Sequence, residues 1–159
     1  MAVIGGGNSA LDATLQLIKI ANKIYLINAN EKLAGDAVMR DKIEKSDKVT
    51  VINKTNTKEI LGDTFANGII IETDGKKKKL DVQGVFIEIG SAPNTAFIDF
   101  IEKNEWEEII VDCSCRTSAP GLFAAGDVTS VPEKQIIVAA GEGCKASLAA
   151  FKYLSKLKE

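Results

Sequence analysis

The sequence contains no histidine. That absence removes the Ser/His/Asp and Cys/His nucleophile systems and every metal site that needs an imidazole, so any catalysis has to come from a cofactor. Cysteine is also scarce: Cys113, Cys115 and Cys144 are odd in number and lack the spacing of a disulfide framework or a zinc site. They read as reduced structural thiols, with Cys144 packed on the last helix. No uninterrupted apolar stretch is long enough to span a bilayer, and Met1 runs straight into Gly-rich sequence instead of a signal peptide. A cytoplasmic location and no membrane partner are expected. The net charge of -2 gives no broad basic field, which argues against nucleic acid and leaves small molecules or proteins as partners. What is present, 45% hydrophobic and 26% charged residues over 159 positions, is the profile of a globular chain able to bury one full core or two small ones.

Periodicity orders the elements. Ala2 to Ile4 is a short apolar run ending in glycines, and Leu11, Leu15 and Ile18 then recur at helical spacing across Asn8 to Ile20. Ile24 to Ile27 supplies a second strand. Asp36 can cap a helix running to about Lys45, and Val49 and Val51 alternate with polar neighbours in a third strand. This β-α-β-α-β order belongs to a parallel sheet. Thr57 to Leu61, Gly68 to Thr73 and Lys79 to Val82, separated by Gly62-Asp63 and Asp74-Gly75, predict an antiparallel meander, with Lys76 to Lys79 as a solvated turn. Val85 to Ile89 has the composition of a strand buried inside a parallel sheet and ends at a loop, Gly90 to Asn94, where a domain boundary is expected. Beyond it the sequence predicts a short helix at Thr95 to Lys103, strands at Ile109 to Val111 and Leu122 to Ala125, and a final helix from about Gln135 to Leu157.

Gly5, Gly7 and Ala10 satisfy G-x-G-x-x-[GA] in the setting that gives the motif meaning, after a strand and opening a helix. The three positions serve a tight turn, close approach of backbone to pyrophosphate, and close helix-strand packing. With Gly6, Asn8 and Ser9 they form a dinucleotide phosphate loop whose helix N-terminus offers amide donors and a positive dipole end. About 20 residues on, where an acidic residue ordinarily holds the ribose of NAD, stands Asn28. Its amide can bond a ribose hydroxyl, and no arginine follows closely to neutralise the extra phosphate of NADP. NADH is the expected cofactor and NADPH the less favoured one, with Lys32 the residue that keeps it open.

Thr117 to Asp127 reads as a buried strand closing in Gly126-Asp127. On the residues alone, a ligand site and a strand-ending turn are both open there. Val3 to Ala10, Gly90-Ser91-Ala92-Pro93-Asn94-Thr95, Gly121 to Asp127 and Gln135 to Gly143 together resemble the thioredoxin reductase family of pyridine nucleotide-disulfide oxidoreductases. The resemblance covers almost the whole chain in the family's order. It implies an α/β, Rossmann-like FAD/NAD(P)-binding fold, with a parallel sheet, an antiparallel β-meander crossover and part of a second similar domain. Residues 1-94 would be the NAD(P)H-binding domain and 95-159 the C-terminal portion of an FAD-binding domain. It further implies Gly90 among the cofactor-binding residues, Gly126 and Asp127 on the FAD ribityl chain, and Gln135 and Ile136 opening a helix aimed at the flavin ring. Gly141 and Gly143 would serve close packing against another backbone, unless the helix starts only after Gly143.

Members of that family carry a further half of the FAD domain and a Cys-x-x-Cys pair ahead of the nicotinamide loop. This chain starts at that loop, so it reads as a C-terminal fragment that by itself lacks the disulfide-reducing step. In the intact enzyme the resemblance implies hydride transfer from NADH to FAD, a disulfide-bearing redox partner protein and a homodimer. Two rival expectations stand beside it: a ferredoxin- or flavodoxin-type NADP reductase of similar architecture, and a non-catalytic dinucleotide-binding module.

Overall fold

Ala2–Ile4 forms β1, and in a computed structural model that describes residues 1–157 it occupies an inner position of a four-stranded parallel sheet. Its neighbours are β2 (Ile24–Ile27) and β7 (Val85–Ile87), with β3 (Val49–Ile52) beyond β2, giving the order β3-β2-β1-β7. Ile4 lies level with Ile27 on one side and Ile87 on the other, so three strands present their carboxyl ends together. Helices α1 (Asn8–Leu17) and α2 (Ala37–Glu44) supply the crossovers. The chain divides into two units, Met1–Gly90 and Ser91–Glu159.

In the first unit, alternation along β1 sends neighbouring side chains to opposite faces of the sheet. Val3 joins Leu11, Leu17, Ile24, Leu26 and Ile43 beneath the helices, whereas Ala2 joins Ile27, Ile69, Ile71 and Leu80 on the other face. The second face is covered by the antiparallel meander β4 (Thr55–Gly62), β5 (Ala66–Thr73) and β6 (Lys76–Leu80). Both faces of β1 are therefore dry, which is why its residues are apolar without alternation. Burying each large aliphatic side chain contributes about 1.5–3 kcal/mol, and this two-sided core holds the ends of the strands in place.

Several expectations change in this unit. The first helix stops at Leu17 instead of Ile20, whose side chain is exposed. Asp36 does cap α2, accepting a hydrogen bond from the amide of Val38. The expected lysine turn narrows to Asp74 and Gly75, both at positive φ, as a two-residue hairpin requires. Lys76 to Lys79 themselves belong to edge strand β6, where exposed lysines discourage pairing with another chain. β7 is a sheet edge and not an interior strand, leaving Phe86 and Ile87 exposed.

The second unit has less regular structure. Ile98, Ile101 and Ile109 form its core, with Val111, Ala119, Leu122, Ala124 and Val128 packed around them. The helix expected at Thr95 to Lys103 is absent: Thr95 is buried, its hydroxyl donates to the Glu107 carbonyl, and the Lys103 ammonium donates to the Thr95 carbonyl. A run this short cannot sustain a helix once its polar groups are drawn into loop bonds. The strands expected at Ile109 to Val111 and Leu122 to Ala125 reduce to isolated bridges, Ile109 with Lys103 and Thr129, and Phe123 with Arg116. Leu122 to Ala125 are half-buried.

Helix α3 (Ile136–Lys156) runs unbroken through Gly141 and Gly143, so it does not begin after Gly143. A methyl group at either glycine would meet nothing among the described residues, and the expected close backbone packing is not seen there. One side of α3 carries exposed Ile137, Leu148, Phe151 and Leu154.

Candidate functional site

The three aligned strand ends lead into a cleft of about 510 Å³ in the first unit, within the size range of small-molecule sites. Its walls include Gly5 to Ser9, Ile27 to Asn30, Thr55 to Thr57 and Glu88 to Gly90. Gly5, Gly6, Gly7, Asn8, Ser9, Asn28 and Gly90 are thus gathered in one place. Ala10 does not line the cleft; it is fully buried beneath the loop, in the packing role its motif position predicts.

Each glycine of the loop has a distinct physical reason. Gly5 sits at φ +141, and a side chain there would collide with the backbone carbonyl of Glu88, just past the end of β7. A side chain at Gly6 would strike the amide of Asn28. Gly7 faces open space, with nothing within 4 Å of where a methyl would stand. It is also the N-cap of α1 and makes no side-chain capping bond. The first turn of the helix therefore turns amide donors and the positive end of its dipole toward the cleft, an arrangement suited to phosphate. The outer side of the loop is fastened down: the Gly6 carbonyl accepts from the amides of Ala34 and Gly35, at 2.8 and 3.2 Å, and Asn8 Oδ1 accepts from the Asp36 amide at 2.7 Å.

Asn28 differs from its expected role. It is only 2% exposed, and its side chain is committed within the protein. Nδ2 donates to Asn30 O at 3.1 Å and to Asn53 Oδ1 at 2.9 Å, while Oδ1 accepts from the Asn30 amide at 3.2 Å. Asn28 thus joins the strand-end loops after β2 and β3 behind the phosphate loop. The exposed polar groups at that end of the cleft are Asn30 and Asn56, neither of which belongs to a motif visible in the sequence. The rule that ligands gather at the carboxyl ends of parallel strands points to residues after β3 as well as after β2. The structure also brings an arginine to this loop: Arg40 Nη1 donates to the Leu33 carbonyl at 3.3 Å, although Arg40 does not line the cleft.

In the second unit, Gly126 has φ +79 and its amide donates to Glu142 Oε2 at 3.1 Å. Glu142 is a buried carboxylate on α3, so the helix fixes the Gly126 turn and leaves Asp127 exposed beside it. Gln135 is the N-cap of α3, extended in backbone and without a side-chain capping bond, and Ile136 is 92% exposed. The amides of this helix start are open to an acceptor. The cysteines form no pair: Cys113 is exposed in a turn, Cys115 is buried with its thiol directed at the Glu142 carbonyl, and Cys144 is exposed, not packed as expected. Burial pushes the Cys115 thiol above its ordinary pKa. No helix among the described residues is long and apolar enough to cross a membrane.

Residues 1–143 match the family model described as pyridine nucleotide-disulphide oxidoreductase. The chain is 43% identical to the NADH dehydrogenase of Bacillus subtilis over 97% of its own length and 31% of that protein. It is 40% identical to the F subunit of Escherichia coli alkyl hydroperoxide reductase, covering 99% of this chain and 31% of the relative. Among solved structures, Lactococcus lactis thioredoxin reductase superposes with a TM-score of 0.82 at 28% identity, over 98% of this chain and 52% of that one. The thioredoxin reductase of T. acidophilum gives 0.78 at 34% identity, over 98% and 52%. The chain thus spans about a third of the curated relatives and about half of the solved chains.

Proposed function

Because the chain belongs to the pyridine nucleotide-disulphide oxidoreductase family, we propose that its first unit binds NADH and its second is the C-terminal portion of an FAD-binding domain, together serving a flavin-dependent disulfide reductase. The observation that carries this reading is the uncapped N-terminus of α1 behind Gly5 to Gly7, open to the cleft at Gly7. Gly7, Asn8 and Ser9 hold the pyrophosphate through backbone amides, and the fixed dipole of α1 offsets its charge. The adenosine half lies toward Asn28 to Asn30, and the nicotinamide half toward Glu88 to Gly90. Asn28 acts by fixing this wall, and Asn30 stands where a ribose hydroxyl can be bonded.

The second unit fits part of a flavin site. Asp127 offers an exposed carboxylate to ligand hydroxyls, Glu142 holds the Gly126 turn, and Gln135 and Ile136 open a helix whose free amides stabilise negative charge. Bound flavin would supply hydride acceptance and the relay of electrons toward a disulfide on a redox partner protein. The exposed apolar side of α3 supports association with further protein, in a flavin domain or a homodimer. We place the protein in the cytoplasm.

Titration of the chain with NADH and NADPH by calorimetry tests the reading. NADH is expected to bind at least tenfold more tightly. Tighter NADPH binding would turn Arg40 and Lys32 into phosphate ligands and favour a ferredoxin- or flavodoxin-type reductase. Binding of neither would overturn the assignment.

A further inference from the structure

The hairpin from Arg116 to Phe123 and the last turns of α3 border a second hollow, of about 530 Å³, that lies wholly within the second unit. Its floor and its rim differ in chemistry. Leu122, Phe123 and Tyr153 are half-buried, whereas Arg116, Lys152 and Lys156 are exposed. The walls are fixed in advance: the Thr117 amide donates to the Leu122 carbonyl at 3.2 Å, the Phe123 and Tyr153 rings meet edge to face with centroids 6.2 Å apart, and a methyl at Gly121 would stand 3.2 Å from the Tyr153 ring. Among the described residues no carboxylate lines the hollow, and none of its three cations is in an ion pair. Asp112, close by in sequence, spends its carboxylate on the amides of Ser114 and Arg116. A smaller hollow of about 210 Å³ shares Arg116 and Lys152, adds Lys145, and again has no carboxylate in its lining.

Helix chemistry accounts for one of these cations. Lys156 sits in the last turn of α3, where a positive charge complements the helix dipole. That reason does not extend to Arg116, on the hairpin, or to Lys152, one turn further back. A chain with 22 acidic residues against 20 basic ones has carboxylates enough to neutralise such a rim, yet none is placed there. We infer that the hollow is a binding site for a small aromatic anion, a carboxylate or a phosphate monoester, with its ring against Phe123 and Tyr153 and its charge held by Arg116 and Lys152. The volume is that of a small-molecule site. A guanidinium fork matches either head group, and aromatic walls favour a flat ring. The site is distinct from the flavin reading above and does not depend on it: Lys152 is 16 residues past Ile136, about 24 Å along α3 from the start of the helix.

The test titrates the full chain, isotope-labelled for amide NMR, with naphthoate, naphthyl phosphate and the uncharged naphthylmethanol. The anions are expected to shift the amides of Gly121 to Phe123 and of Lys152 and Tyr153. They should bind about three- to tenfold more tightly than the alcohol, the worth of one or two exposed charge contacts. The tighter of the two anions identifies the head group. Arg116→Gln and Lys152→Gln, both at exposed positions, should each weaken the anions about threefold, leave the alcohol within about twofold and leave thermal unfolding unchanged. Lys145→Gln, which borders only the smaller hollow, should have little effect. If the alcohol binds as tightly as the anions, the rim charges do no binding and the inference falls. It falls equally if neither anion gives a saturable shift, or if the shifts gather instead at Leu148, Phe151 and Leu154 on the exposed apolar side of α3. A loss in Lys145→Gln as large as that in Lys152→Gln would mean a diffuse field in place of a site and would also overturn it.

Discussion

Replacing Gly7 by alanine should separate folding from cofactor binding. At Gly7 the backbone is extended, at φ -91, and a methyl would meet no atom within 4 Å. Two small effects on stability then oppose each other. Alanine is a poorer N-cap than glycine by roughly 0.5–1.5 kcal/mol, whereas restricting the unfolded chain returns about 0.4–1 kcal/mol. The net change is within about 1 kcal/mol, a shift of no more than a few degrees in melting temperature. Binding should respond very differently, because the methyl occupies the space through which phosphate oxygens approach the α1 amides. Losing one or two charge-assisted bonds of about 1.5–3 kcal/mol each predicts at least a tenfold loss of NADH affinity. Gly5→Ala supplies the opposite pattern: collision with the Glu88 carbonyl and a strained φ of +141 should cost roughly 3–5 kcal/mol of stability before any ligand is considered. Calorimetric titration with NADH and thermal unfolding on both variants make the comparison. A Gly7→Ala protein that binds NADH within twofold of the wild type would refute the argument for an open phosphate loop.

Asn28→Ala removes the side chain that bonds Asn30 and Asn53, and should lower stability by about 2–3 kcal/mol in chemical denaturation, with weaker NADH binding as the wall loosens. Thiol labelling followed by mass spectrometry should modify Cys113 and Cys144 rapidly and Cys115 only on unfolding, since Cys115 is buried and its thiol is held neutral by burial; equal rates at all three would contradict the structure. Asp112 is held below the ordinary aspartate value of 3.8, chiefly by a hydrogen bond from the backbone of Arg116, opposed by desolvation and aided by the amide of Ser114. A depressed carboxyl stabilises the fold above its unfolded pKa and loses that effect as pH falls through the folded one. Asp112→Ala should therefore melt below the wild type near neutral pH, and the difference should close in acid; a gap that persists undiminished in strong acid would argue against the bonded carboxylate.

Much of the first unit is legible in its residues because local pattern and tertiary packing agree there. The apolar run before Gly5, the amphipathic face of α1 and the Asp36 cap each specify an element that the two-sided core then confirms. The lysines of β6 are harder to place, since a charged edge strand and a solvated turn share the same composition, and only pairing with β5 distinguishes them. Asn28 shows a different limit. The number of residues from the loop locates it at a strand end but does not reveal that Asn53, distant in sequence, will claim its amide. In the second unit the apolar runs around Ile98 and Leu122 indicate burial correctly in kind, yet without paired strands among the described residues they remain loops. Arg116 and Lys152 give no joint signal in the sequence, because only the fold brings them to one hollow.

The hydrogen bonds from Ala34, Gly35 and Asp36 to the Gly5–Ser9 loop also bear on how quickly the proposed dinucleotide would come and go. Under the proposed function a hydride donor would be exchanged at every turnover, and a loop that ordered itself around each arrival would give up about 0.5–1.5 kcal/mol for every side chain it immobilised. A loop already tied at Gly6 and Asn8 has little left to order, so exchange becomes a matter of diffusion and of the strength of the phosphate contacts. The same tie makes the length of the segment between β2 and α2 part of the site. Surface loops ordinarily tolerate added or missing residues; here a single deletion would draw Gly6 out of position.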